Sequence, residues 1–245
     1  MIIATSISPK NIQRQQRAVS SWVRFGYKII SVNHESEIAQ LSQEFPHVDF
    51  IVAPKTAYLV YQKHYVYVWD IIDQAFFVGN KIESVFVLNS DIILSEIIDQ
   101  NNGFDKSLSL LSQLKEEASQ SLVCFKRYDI QGDVKTMWKE GNDGFIIHRK
   151  FFPMLFDKGF VLGQCFWDWW IPMTFFLNDL QTITYQDIFL THIMHEREHY
   201  TEQWEYNLGL FRKWFLPILG KKDYILAKVI DDAITNNSKI YTNHA

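Results

Sequence analysis

In the first half of the chain, short apolar runs alternate with longer stretches whose apolar residues recur every three or four positions. That alternation is expected when crossover helices join parallel strands of one sheet. Ile2 to Thr5 reads as a first strand and Pro9 to Phe25 as a helix, with Ile12, Val19, Trp22 and Val23 at helical spacing and Gly26 placed as its C-terminal cap. Tyr27 to Val32 is a second strand, Glu35 to Phe45 a helix stopped by Pro46, and Val48 to Val52 a third strand stopped by Pro54. Tyr61 to Val78 reads as one long, aromatic-rich helix. Ser84 to Leu88 is almost continuously apolar, as a strand covered on both faces would be, and it ends abruptly in Asn89-Ser90-Asp91 before a second apolar run, Ile92 to Leu94.

The second half is less regular. The pattern predicts a helix near Leu108 to Glu117, strands at Ser121 to Phe125 and Gly144 to Ile147, and a Trp-rich helical region from Lys150 to Asn178. A last strand is expected at Thr182 to Tyr185, followed by helices at His199 to Phe215 and Tyr224 to Ala233 outside the sheet. Repeats, low-complexity tracts and a Gly/Ser/Pro linker are missing from the sequence, so a single domain over residues 1–245 is the simpler expectation.

Composition narrows the classes. The chain is 47% hydrophobic and 21% charged, as globular proteins are, and its net charge of -4 offers no basic field for nucleic acid or anionic lipid. Its two cysteines, Cys124 and Cys165, form no spaced metal or disulfide framework and are expected to be reduced and buried. The N-terminus lacks the basic and apolar regions of a signal peptide, which predicts a cytoplasmic location. The most apolar stretch, Phe166 to Leu177, is too short for a bilayer core of roughly 30 Å, so no transmembrane segment is expected. Oligomeric state is not legible.

Ligands of open α/β sheets bind beyond the carboxyl ends of the strands, and several strands here end in polar residues: Thr5-Ser6, Asn33-His34 and Asn89-Ser90-Asp91. A carboxylate there can hold a divalent cation that neutralises a diphosphate, although an Asn-x-Asp is equally at home in a plain turn. In Trp167-Asp168-Trp169-Trp170, a carboxylate among indoles has a raised pKa suited to proton abstraction. The alternative for Asp168 is a helix N-terminus beneath packed aromatics. Gly141-Asn142-Asp143-Gly144 places polar residues between glycines, either as a close approach to ligand or as a turn. Lys55, Lys63 and Arg127 are candidate phosphate contacts.

Taken in order, Val-Phe-Val-Leu-Asn-Ser-Asp, Gly141 to Phe145, Gly163 to Trp170 and a late His-rich segment resemble the GT-A glycosyltransferases over most of the chain. The resemblance implies an α/β, Rossmann-like, mostly parallel central sheet flanked by helices, with C-terminal helices. Residues 1–100 would form a nucleotide-binding half, 101–200 an acceptor and catalytic half, and 201–245 the C-terminal helices. It implies sugar transfer from a nucleoside diphosphate donor to a carbohydrate or other hydroxyl acceptor, assisted by Mn²⁺ or Mg²⁺. Asp91 and His195 would hold the metal, and Thr5, Ser6, Asn33, Lys63, Asn89, Ser90 and Asp91 the donor. Asp143, Trp167 and Trp169 would meet the acceptor, with Asp168 as base. Asn89 stands where the family has its first carboxylate, which removes one negative charge from the expected metal site.

Three other readings compete. A nucleotidyltransferase would begin with a Gly-rich loop, whereas the first loop here is Ser6-Ile7-Ser8-Pro9-Lys10. A non-catalytic nucleotide-sugar or carbohydrate-binding module on the same fold fits the missing carboxylate. His195-Glu196-Arg197-Glu198-His199 matches the zinc-peptidase pattern H-E-x-x-H, but only Glu202 and Glu205, very close in sequence, are left as a third ligand. The preferred use of His192, His195 and His199 is a shared helix face that lends one imidazole to a metal at Asp91.

Overall fold

A computed structural model describes residues 1–95, 107–138, 141–195, 201–219 and 238–241. The chain begins β1 (Ile2–Thr5), α1 (Ile12–Arg24), β2 (Lys28–Asn33), α2 (Glu35–Glu44) and β3 (Val48–Val52). It continues with α3 (Tyr58–Tyr61), α4 (Val68–Val78), β4 (Ser84–Leu88), β5 (Ile92–Leu94) and α5 (Ser107–Ala118). Then come β6 (Leu122–Gln131), β7 (Val134–Met137), β8 (Gly144–His148), a 3-10 helix (Arg149–Met154), α6 (Trp167–Leu177), β9 (Thr182–Ile193), α7 (Thr201–Leu219) and β10 (Ser238–Tyr241).

These strands form one ten-stranded sheet in the order β10-β9-β6-β8-β4-β1-β2-β3, with β5 paired to β9 and β7 to β6. Strands β3, β2, β1 and β4 run parallel, as do β6, β9 and β10, and β8 joins the two groups as an antiparallel strand between β4 and β6. The fold is therefore the expected α/β one, a mostly parallel sheet with helices on both faces. Alternation along the strands builds both layers of core: Ile2, Ala4, Val85, Val87, Phe145 and Ile147 pack towards α4, α6 and α7. Ile3, Phe86, Leu88 and Ile146 pack towards α1, α2 and α5. Continuous apolar runs are what a strand buried on both faces requires.

Several element boundaries differ from the sequence expectation. The helix expected from Tyr61 to Val78 is two, because Gln62 takes a left-handed conformation after α3 and Tyr67 is extended before α4. Between them Val66 bridges back to Thr56, ahead of α3, and Tyr67 bridges Val161. The helical region expected from Lys150 to Asn178 is interrupted after the 3-10 helix by a stretch in which Gly159 and Gly163 adopt positive φ. Strands β6 and β9 both run well past the apolar segments that announced them, and α7 begins at Thr201. His199 and the helix expected at Tyr224 to Ala233 lie outside the described residues. Cys124 is buried as expected, whereas Cys165 is only half-buried.

Candidate functional site

Strand order reverses between β1 and β4, since β2 follows on one side of β1 and β4 lies on the other. Their carboxyl ends are tied together by Thr5, whose Oγ1 donates to the Leu88 carbonyl at 2.8 Å. Beyond this point the chain turns through Asn89-Ser90-Asp91 into β5, which runs antiparallel to β9 and pairs Ile92 with His192. That pairing brings Asp91 against the far end of the chain. Oδ2 of Asp91 lies 3.3 Å from Nε2 of His192 and 3.3 Å from Nε2 of His195. The three potential ligand atoms fall within 4.8 Å of one another. Burial by itself would raise the Asp91 carboxyl, but hydrogen bonds and charge from His192 and His195 hold it well below the usual carboxylate range.

Behind this cluster runs a continuous polar frame. Asp129 Oδ1 lies 2.9 Å from His192 Nδ1 and accepts from Arg127 Nε at 2.9 Å. The same guanidinium donates from Nη1 to Asp143 Oδ2 at 2.9 Å, and Asn89 Nδ2 donates to Asp143 Oδ1 at 2.9 Å. Burial drives the Asp143 carboxyl upwards against the opposing pull of Arg127. Buried charges are tolerable only with this degree of pairing. The turn itself is fastened to α1: Ser90 Oγ donates to Gln15 Oε1 at 2.7 Å, and Trp22 Nε1 donates to the Ile92 carbonyl at 2.8 Å.

Asp168 sits in the first turn of α6, after Phe166, which is held at φ 72. Its carboxylate packs where a Cβ on Gly141 would stand, and Gly141 itself has φ 70, so two separate constraints require glycine there. The Gly141 carbonyl accepts from Lys126 Nζ at 2.9 Å. Burial, reinforced by the charge of Asp143, pushes the Asp168 carboxyl up to about 8. Asn142 beside it is buried, and among the described residues its Oδ1 has no hydrogen-bond partner.

Asp91, His195, Asn89, Ser90 and Asp143 thus meet at one place. His192 and His195 do so from the end of a strand and the residues after it, not from the helix face expected for them. Thr5 and Asn33 are buried at the ends of β1 and β2 with their polar atoms engaged: Asn33 donates to the Ile7 carbonyl at 2.7 Å and accepts from Ser31 Oγ at 2.6 Å. Ser6 is half-buried. Lys63 lies over the Tyr65 ring, and Lys55 pairs with Asp157. Trp167 is 2% exposed and meets Phe145 edge-on, so its indole belongs to the core and presents no face to an acceptor. Trp169 is half-buried, near Gly141.

The sequence pattern does not mark Asp129 or Gln15 as site residues, and it offers His192 only as one of three imidazoles on an expected helix face. Arg127 and Asp129 at i and i+2 would have shared one face had the strand been extended past Phe125, which was the available signal.

No protein-family model matches the sequence, and no curated protein matches it. Among solved structures, a glycosyltransferase involved in the glycosylation of the major capsid of PBCV-1 is 12% identical, with 62% of this chain and 61% of that chain covered and a TM-score of 0.34. This chain therefore spans under two thirds of that protein's length. The 4-diphosphocytidyl-2C-methyl-D-erythritol synthase of Anaerococcus prevotii is 10% identical, with 93% and 95% covered and a TM-score of 0.43. Among the described residues, no helix is long and apolar enough to cross a membrane.

Proposed function

We propose that this protein is a glycosyltransferase that moves a sugar from a nucleoside diphosphate donor to a hydroxyl acceptor, with a divalent cation held by Asp91, His192 and His195. The observation that carries the reading is this cluster of one ionised carboxylate and two imidazoles beyond the end of β4, beside the reversal in strand order. The donor set fits a cation: Asp129 is an acceptor for Nδ1–H of His192 and so leaves Nε2 as the ligand side. Two imidazoles with one carboxylate suit Mn²⁺ better than Mg²⁺, which prefers oxygen alone. Such a cation would neutralise charge on the departing diphosphate.

The chain's own residues supply the rest. Ser6 and Ser90 border the donor, while Thr5 and Asn33 hold the strand ends beneath it. Asp168, with its raised carboxyl, takes the proton of the acceptor hydroxyl, and Trp169 offers the aromatic face beside it. A base in this role implies inversion at the anomeric carbon.

Calorimetry with a panel of nucleotide sugars, with and without Mn²⁺, tests the reading. Asp91→Ala is expected to abolish Mn²⁺-dependent donor binding. Asp168→Asn is expected to keep binding while transfer falls by about a hundredfold or more, the usual contribution of a general base. Unchanged turnover in the Asp168 variant would remove it as base, and donor binding indifferent to Mn²⁺ and to Asp91 would remove the cation.

A further inference from the structure

Asn89 lies two residues before Asp91 in the turn after β4, and its side chain is engaged by a different partner. Its amide donates to Asp143 Oδ1, and the other oxygen of Asp143 is taken by Arg127. Arg127 in turn shares Asp129, which orients His192. The frame links the turn after β4 with β6, β9 and the start of β8, and its charged members are nearly excluded from solvent, with side-chain exposures of 11% for Arg127, 7% for Asp129 and 9% for Asp143.

We infer that Asn89 is a positioning residue that acts through Asp143 and Arg127, so that the cation site is complete with Asp91, His192 and His195. On that arrangement a carboxylate at position 89 damages the site. This inference rests on the cation reading and goes beyond it in assigning the variant position a constructive part. An amide can donate to Asp143, whereas a carboxylate cannot donate and would sit within hydrogen-bond distance of a like charge. Repulsion there would draw Arg127 and Asp129 out of register and release the orientation of His192. Outer partners of this kind typically contribute 10–100-fold to metal affinity.

The test is direct Mn²⁺ titration of the purified protein, followed by calorimetry and by the imidazole nitrogen couplings of bound Mn²⁺ in pulsed EPR. Asn89→Asp is expected to bind Mn²⁺ about tenfold or more weakly despite its added negative charge, with altered nitrogen couplings. Asn89→Asp combined with Asp143→Asn restores one donor and one acceptor between the two positions and is expected to recover most of the loss. That recovery would not follow if the single variant were merely misfolded. Equal or tighter Mn²⁺ binding by Asn89→Asp overturns the inference, as does a double variant no better than the single. If the wild-type protein binds no Mn²⁺, or Asp91→Ala binds it undiminished, the cation reading itself falls.

Discussion

Asp168 illustrates how a residue's surroundings decide its chemistry. The folded state holds its proton up to about pH 8, while an unfolded chain releases it near the ordinary 3.8. Between those values the folded form binds more protons, so its stability falls as pH rises through the window. The groups acting on it are Asp143, which raises the carboxyl further, and Arg127 and Lys126, which lower it. Asp168→Asn should match the wild type near pH 4 and be the more stable by on the order of 1–3 kcal/mol near pH 8, read by thermal unfolding across pH. Transfer by the wild type should climb with pH through about 8, as a base that must first ionise requires. An Asp168 variant whose unfolding tracked the wild type at every pH would contradict the burial assigned to this carboxyl. In the sequence this environment was visible because the indoles adjoin Asp168 directly. His192 had no such local signal, since Asp91 and Asp129, its partners, are remote in sequence.

At the scale of elements, helix ends explain much of what the pattern misjudged. The end of α6 is closed by Asp179, exposed and at φ 54, whose N–H donates to the Phe176 carbonyl at 3.1 Å while Leu180 N–H donates to Phe175 at 3.0 Å. This is the paired closure that favours glycine at the left-handed position. Asp179→Gly should therefore raise stability by about 0.5–1 kcal/mol, measured by denaturant unfolding; a loss of stability would show that the aspartate side chain contributes more than its backbone costs. The division of the expected Tyr61 to Val78 helix has a similar origin in Gln62, at φ 52, a conformation that an ordinary residue adopts only when its surroundings impose it. Apolar spacing on either side carried no trace of that break.

For the molecule as a whole, β8 is the strand on which the two parallel groups meet. Gly144 begins it between β4 and β6, and a Cβ there would approach Leu190 Cδ1 at 2.8 Å, Leu88 Cδ2 at 2.8 Å and Phe86 Cε2 at 3.0 Å. Leu88 immediately precedes Asn89, and Leu190 lies two residues before His192. Gly144→Val should thus cost about 1–3 kcal/mol through overpacking and weaken Mn²⁺ binding by separating β4 from β9, checked by unfolding and metal titration on one preparation. Destabilisation with unchanged metal affinity would show that the site does not depend on this packing.

The sequence by itself determined the two-faced strands, the crossover helices and the polar strand ends, because each depends on neighbours within a few residues. Burial on both faces selects continuous apolar runs, and a strand end selects residues that can turn or bind. Only the tertiary structure decided which strand ends meet. The register of β6 on β9 shifts between Phe125 and Arg127, so that Asp129 comes to stand opposite His192, and the antiparallel pairing of β5 delivers Asp91 to the same imidazole. Long-range register is set by the packing of whole strands, and no local spacing records it. For the same reason the sequence shows Asn89 only as part of a polar strand end, while in the fold its amide donates to Asp143, whose other oxygen accepts from Arg127.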